Sequence, residues 1–270
     1  MGSFQYGATL AKQLFPVVGA SGTTALRLGL GSLMSLALWR PWRIRPTLRE
    51  ARSIVVYGLA IGWMNLFFYL AISRIPLGIA VALEFTGPLT VSIAASRRSI
   101  DFAWIGFAGL GLIALLPLGL THVSLDPAGI GFALGAALCW ALYIVFGQKA
   151  GVAHGGQTAA LGTLAAAIVI VPIGIHHAGP ALFSPALLPL ASALALFSAL
   201  PYSLEMYALT RLPMRTFGVL MSWEPAMGAL TGFALLGESL SWVQWCAICS
   251  IMVASAGSAI TGRTAATPPD

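Results

Sequence analysis

The chain is a succession of apolar runs, each about 20 residues long and closed by Gly, Pro or Arg. A hydrocarbon core of roughly 30 Å takes about 20 residues of helix to cross. Runs of this length and number dictate an all-α polytopic membrane protein. They lie at 22–39, 53–73, 77–96, 102–120, 127–148, 157–175, 187–209, 214–236 and 241–261. Residues 4–21, FQYGATLAKQLFPVVGAS, read as the tail of one further helix ahead of them. Only 8% of the residues are charged, against about 25% in a soluble domain. A water-soluble core of 270 residues could not hide an apolar fraction of 58%. No charged n-region with a cleavage site precedes the first run, so no secretory signal is expected. Residues 263–270 read as a disordered tail.

The net charge of +6 does not point to nucleic acid, because the basic residues sit in short loops between the apolar runs, where they orient a chain in a membrane. Count the N-terminal tail as the first helix. Arg40, Arg43, Arg45, Arg49 and Arg52 then fall between helices two and three, Arg97 and Arg98 after helix four, and Lys149 after helix six. Arg211 and Arg215 join helices eight and nine, and Arg263 follows helix ten. These are alternate loops on one side of the bilayer; the opposite loops hold Arg74 and little else. Both termini are expected in the cytoplasm.

The sequence also repeats itself. "AISRIPLGIAVALEFTGPL" from Ala71 lies against "ALTRLPMRTFGVLMSWEPA" from Ala208 at a constant offset of 137. The offset pairs Arg74 with Arg211, Pro76 with Pro213, Leu83 with Leu220, Pro88 with Pro225, Tyr6 with Tyr143 and Lys12 with Lys149. Each unit has five helices, and an odd number reverses the second unit in the membrane. The expected architecture is an inverted repeat of two five-helix units, a form common among secondary transporters that bind cargo near the midplane. Residues 1–122 form the first unit and 123–262 the second. The offset puts the start of helix one ten residues before Met1, so that helix is expected to be truncated, a stub of about 13 residues and ~20 Å beside about nine full spans.

Three acids fall inside the runs: Glu84, Glu205 and Glu224. An ionised side chain at a helix centre costs on the order of 3 kcal/mol on insertion scales, so such residues usually meet a cavity or a partner. Glu84 lies roughly 12 Å into helix four and Glu224 roughly 16 Å into helix nine, counted from Pro76 and Pro213 at 1.5 Å per residue. The two helices enter from opposite faces, so both acids are expected near mid-depth. Gly87, Pro88 and Pro225 loosen the same helices, and each Pro removes a backbone donor and can free a carbonyl. Glu205 sits nearer the cytoplasmic end and could instead pair with Arg211. Arg27 could hold a carboxylate in its bidentate fork or snorkel to the surface. Asn65, Tyr69, Trp140, Tyr143 and Tyr202 could supply neutral hydrogen bonds and aromatic walls. The pairs Gly58/Gly62, Gly131/Gly135 and Gly228/Gly232 would permit close helix contact.

Other chemistries find no support. Cys246 and Cys249 form a CxxC without a second Cys or His cluster, and small residues on a helix face explain it. "GASG" at 19–22 has the look of an intramembrane serine-protease motif, but all four His (His122, His154, His176 and His177) fall in expected loops, leaving no base beside it. No P-loop, Asp-rich metal motif or HExxH is present.

"LFPVVGASGTTALRLGLG", "PLGIAVALEFTGPL", "ALCWALYIVFGQKAG" and "LPYSLEMYALTRLPMRTFGVLMSWEPA" closely resemble the amino-acid exporters of the drug/metabolite transporter superfamily, whose members carry paired EamA-type domains. The resemblance spans nearly the whole chain. It implies a ten-helix carrier of the bacterial inner membrane that exports small neutral amino acids, threonine and homoserine, in exchange for protons, with no tightly bound cofactor. The implied partners are the amino acid, protons and membrane lipid; a homodimer is compatible with the sequence. An amino acid is a zwitterion, so Glu84 or Glu224 could receive its ammonium and Arg27 or helix-end amides its carboxylate. A rival keeps the fold and changes the cargo to a drug or another metabolite, and a shortened first helix leaves room for a non-transporting scaffold.

Overall fold

The computed structural model describes residues 2–94, 99–115, 125–211 and 220–261. The regular elements there are helical: α1 Gly2–Trp39, α2 Leu48–Ile72, α3 Leu77–Glu84, α4 Thr86–Ala94, α5 Ser99–Leu115, α6 Pro127–His154, α7 Gly156–Ala178, α8 Leu188–Arg211, α9 Glu224–Leu236 and α10 Trp242–Thr261, with short 3-10 turns beside them. Leu48–Ile72, Pro127–Gln148, Gly156–Phe183 and Pro185–Tyr202 are long and apolar enough to cross a membrane, and Leu77–Val91 and Trp242–Ser258 are shorter apolar helices.

Local chemistry sets the helix starts. Thr47 and Glu50 form a capping box at α2, the Thr47 amide donating to Glu50 Oε2 at 2.7 Å. Ser241 and Gln244 exchange the equivalent bonds at α10. At α6, Asp126 accepts from the Ala128 amide at 2.8 Å ahead of Pro127, which satisfies a donor the helix itself cannot.

Three expectations about helix boundaries change. The N-terminal tail and the first full run form one 38-residue element broken only at Gly19, whose φ of 69° and ψ of 175° are non-helical. The helix ahead of the break covers residues 2–18, about 25 Å at 1.5 Å per residue, longer than the stub the repeat offset suggests. The run 77–96 is two helices, because Pro88 has no N–H to offer the Glu84 carbonyl and the chain breaks at Phe85. The α7 helix also runs on to Ala178, so His176 and His177 belong to its last turn rather than to a loop.

The helices pack by small residues. A Cβ on Gly58 would run into the Gly162 carbonyl, and one on Gly62 would lie 3.3 Å from Ala166, so α2 and α7 meet backbone to backbone. Gly228 lies against Val81, whereas Gly131 faces open space and Gly135 only the Phe67 ring; that pair makes no close crossing. α1 packs along α7 and α8, α2 along α6 and α7, α3 against α9, and α5 against α10. Outside, Leu33, Leu110, Leu138, Ile168, Leu204 and Phe233 are 62–66% exposed. So many large exposed apolar side chains suit lipid rather than water.

Candidate functional site

The two helices that carry the mid-run acids are both broken beside them. Glu84 is the last residue of α3, and Phe85 separates it from α4. Glu224 is the first residue of α9, with Pro225 at the helix start and Ser222 and Trp223 in a turn before it. Phe85 and Ser222 stand at equivalent positions of the 137-residue offset. Both breaks leave irregular backbone and helix ends inside the bundle, and in a membrane such backbone is tolerated where it lines a cavity.

The cavity is there. It holds about 520 Å³ and takes side chains from α1, α2, α3, α6, α8 and α9. Glu84, Glu205, Glu224, Arg27, Asn65, Trp140, Tyr143 and Tyr202 all line it, eight side chains from distant parts of the chain. Glu84 and Glu224 are 7% and 6% exposed. Glu84 lies within electrostatic reach of Glu224 and Arg27. Glu205 joins this wall; the side chain of Arg211, the other partner considered for it, lies outside the described ones.

Arg27 is 4% exposed and lines the cavity, so it does not snorkel to the surface. Its Nη1 donates to the Tyr69 hydroxyl at 2.7 Å, and its guanidinium lies 5.3 Å from the Tyr69 ring and 6.0 Å from the Phe4 ring. Tyr69 itself is not a wall residue: fully buried, it fixes Arg27 from behind. A narrow crevice beside Arg27 and Tyr202, edged by Ser32, Ser35 and Thr163, has no room for a water molecule. Gly87, Pro88 and Pro225 do not line the cavity. Gly87 serves the contact of α4 with α6, since a Cβ there would strike the Ala137 backbone; the two prolines shape the breaks.

Gln5 is the wall residue that the sequence reading passed over. Its Nε2 donates to Glu224 Oε1 at 3.4 Å, while Gln5 Oε1 and Glu224 Oε2 are buried acceptors with no hydrogen-bond partner among the described residues. The signal was available: a glutamine seven residues before Lys12 on an apolar helix. It lay in the segment read as an incomplete stub. Phe4, Met64, Phe68 and Met221 add apolar wall.

One acid, Glu238, is also absent from the sequence-based expectations. Gly237, at φ 65°, ends α9 in the left-handed region that favours glycine. The turn delivers Glu238, whose Oε1 accepts from Lys12 Nζ at 2.5 Å and whose Oε2 accepts from the Leu77 amide at 2.7 Å. Glu238 therefore ties α1 and the start of α3 to the end of α9. The clasp sits at the opposite end of α3 from Glu84.

A bundle of membrane-length helices, with two helices interrupted at a charged central cavity, defines a membrane carrier of the secondary-transporter class. Comparison with known proteins agrees. Residues 127–260 match the EamA-like transporter family. The threonine/homoserine exporter RhtA of Salmonella typhimurium (strain SL1344) is 55% identical over 264 residues, 97% of this chain and 90% of its own length. RhtA of Escherichia coli (strain K12) is 54% identical over the same extent. The uncharacterized inner membrane transporter YedA of Escherichia coli (strain K12) is 27% identical over 94% of this chain and 85% of its own length. A crystal structure of an 18% identical protein superposes with a TM-score of 0.61 over 95% of this chain and 94% of that one, which shows a common fold. The chain belongs to the EamA-like transporter family, and it is a transporter rather than an enzyme.

Proposed function

We propose that this chain exports small neutral amino acids, threonine and homoserine among them, across the bacterial inner membrane in exchange for protons, with both termini in the cytoplasm. The observation that carries this reading is the inventory of the cavity: Glu84, Glu205 and Glu224 share it with a single guanidinium, Arg27. A zwitterion presents one cation and one anion close together, and this wall offers a partner for each. The unpartnered Glu224 Oε2 and Gln5 Oε1 are acceptors suited to an ammonium, which brings three donors. Arg27 suits a carboxylate. A large anionic cargo would find only Arg27 among the described basic side chains of the wall. That relatives more than half identical are named threonine/homoserine exporters supports this choice of cargo.

Exchange follows from the cost of charge. A carboxylate without a partner is unfavourable in a site walled off from water. Either the cargo's ammonium or a proton removes that cost, so the two compete, and the carrier moves with one or the other. The motion is a rocking of two inverted five-helix repeats about the cavity. Three features support the repeats: the paired breaks at Phe85 and Ser222, the self-matched contacts α3–α9 and α5–α10, and the matching of α2–α6 by α8 on the start of α1.

The test is counterflow in proteoliposomes. Vesicles loaded with unlabelled threonine should accumulate labelled threonine, and an opposed proton gradient should accelerate net threonine movement. Absence of counterflow contradicts the cargo; counterflow indifferent to the proton gradient contradicts the coupling.

A further inference from the structure

We infer that the Tyr143 hydroxyl reads a hydroxyl on the cargo's side chain, and so sets the preference for hydroxy amino acids over apolar ones of the same shape. The inference rests on the amino-acid reading above and concerns the third polar group of the cargo, after its ammonium and carboxylate.

The neutral polar groups of the cavity wall are unequally occupied. Gln5 donates to Glu224 through Nε2, and its remaining Oε1 can only accept, which suits the cargo's ammonium. Asn65 Nδ2 donates to the Ile61 carbonyl and to the Tyr202 hydroxyl, each at 2.8 Å, which occupies both residues. Tyr143 differs. It is 1% exposed, and its hydroxyl is buried with no partner in hydrogen-bond geometry among the described residues. Tyr57 and Glu205 lie close enough to interact weakly with it, short of hydrogen-bond geometry. A buried hydroxyl left in that condition is unfavourable, and an arriving alcohol would relieve it.

The ring cannot turn away to find another partner. It stacks on Tyr57 with centroids 5.1 Å apart and planes 28° apart, and the Tyr202 ring closes the other side at 6.4 Å. Tyr57 is wedged in turn: a Cβ on Gly147 would come within 2.9 Å of its ring, and one on Gly162 would overlap it. The sequence thus spends two glycines on fixing a tyrosine pair whose outer member meets the cavity. A hydroxyl both donates and accepts, and its hydrogen rotates freely, so one tyrosine can meet an alcohol on the β or the γ carbon. A valine in threonine's place would leave the Tyr143 oxygen unpaired. Sites that hydrogen-bond a cargo hydroxyl discriminate more strongly than apolar pockets do.

The test is competition against labelled threonine counterflow by the reconstituted full chain, comparing unlabelled threonine with valine, which puts a methyl where threonine has its hydroxyl. The wild type should prefer threonine. Tyr143→Phe should reduce that preference by about tenfold or more, through weaker threonine competition with valine little changed. Tyr57→Phe, which alters the same stack away from the cavity, should keep the preference. Three results overturn the inference: Tyr143→Phe with the wild-type preference, Tyr57→Phe with an equal loss, or a wild type that does not distinguish threonine from valine. The last needs no variant to fold. A wild type that exchanges no amino acid at all overturns the amino-acid reading, and this inference with it.

Discussion

Asn65 donates to the Tyr202 hydroxyl at 2.8 Å, and the two residues stand 137 positions apart, the interval that also separates Arg74 from Arg211 and Pro88 from Pro225. Two positions exchanged by a two-fold axis can touch only where that axis passes between them. In the inverted-repeat reading, this bond marks the axis, and the cavity is built around it.

The bond is asymmetric, and mutation should reveal that. In Tyr202→Phe, Asn65 Nδ2 keeps the Ile61 carbonyl, so the expected cost is about 1 kcal/mol. In Asn65→Leu the Tyr202 hydroxyl loses its donor inside the bundle, and about 1–3 kcal/mol is expected. Thermal unfolding of the purified protein in mild detergent checks the order: Asn65→Leu should lower Tm more than Tyr202→Phe.

Helix contact gives a sharper contrast. Gly58→Ala drives a methyl into the Gly162 carbonyl and within 2.7 Å of the Ala165 Cβ, and overpacking of this kind costs about 1–3 kcal/mol. Gly131→Ala meets nothing within 4 Å and gains helix propensity of up to about 1 kcal/mol. The same unfolding assay should show Tm falling for the first and unchanged or rising for the second.

Glu238 should matter more than its place after a helix suggests. Its carboxylate serves Lys12 and the Leu77 amide together, with the two charged side chains only 21% and 15% exposed. Hydrogen bonds to charged groups contribute about 1.5–3 kcal/mol. Glu238→Gln should lower stability by an amount of that order. Lys12→Met made in addition should add less than it costs alone, because the two residues share one network. A double-mutant cycle on Tm or denaturant midpoint measures the coupling.

Outside the membrane, Arg74 holds Asp126 by a 2.8 Å bond and keeps its carboxyl below the usual aspartate range. A depressed folded-state value means that the stability from this pair is fully present above the ordinary aspartate pKa of about 3.9 and is lost as pH falls through the lower folded value. Asp126→Asn should lower Tm slightly at neutral pH, as befits an exposed pair, and remove the same small loss from the acid end of the stability curve below about pH 4.

How much of this was legible beforehand depends on where each signal lies. The membrane bundle follows from apolar length, which is one-dimensional information. The placing of Glu84 and Glu224 together was legible because charge is expensive in hydrocarbon, so each acid declares a partner or a cavity; Glu205 and Arg27 each kept an alternative, Arg211 and the surface, that charge alone does not decide. Gln5 and Glu238 were harder to read. A neutral amide carries little such penalty, and Glu238 follows a helix end where an acid looks solvated. Its role depends on the Gly237 turn and on the Lys12 and Leu77 neighbours, which only tertiary packing supplies. Tyr69 shows the reverse: an aromatic judged a wall residue from its type lies one layer behind, holding Arg27.

The central claim is that the mid-depth carboxylates exist to meet a cation in transit. Counterflow of labelled threonine by Glu84→Gln and Glu224→Gln variants tests it most directly, because glutamine keeps size and hydrogen bonding while removing the charge. The account predicts that exchange falls at least tenfold in one or both variants while each still elutes as a folded, monodisperse protein. Wild-type exchange in both would contradict it.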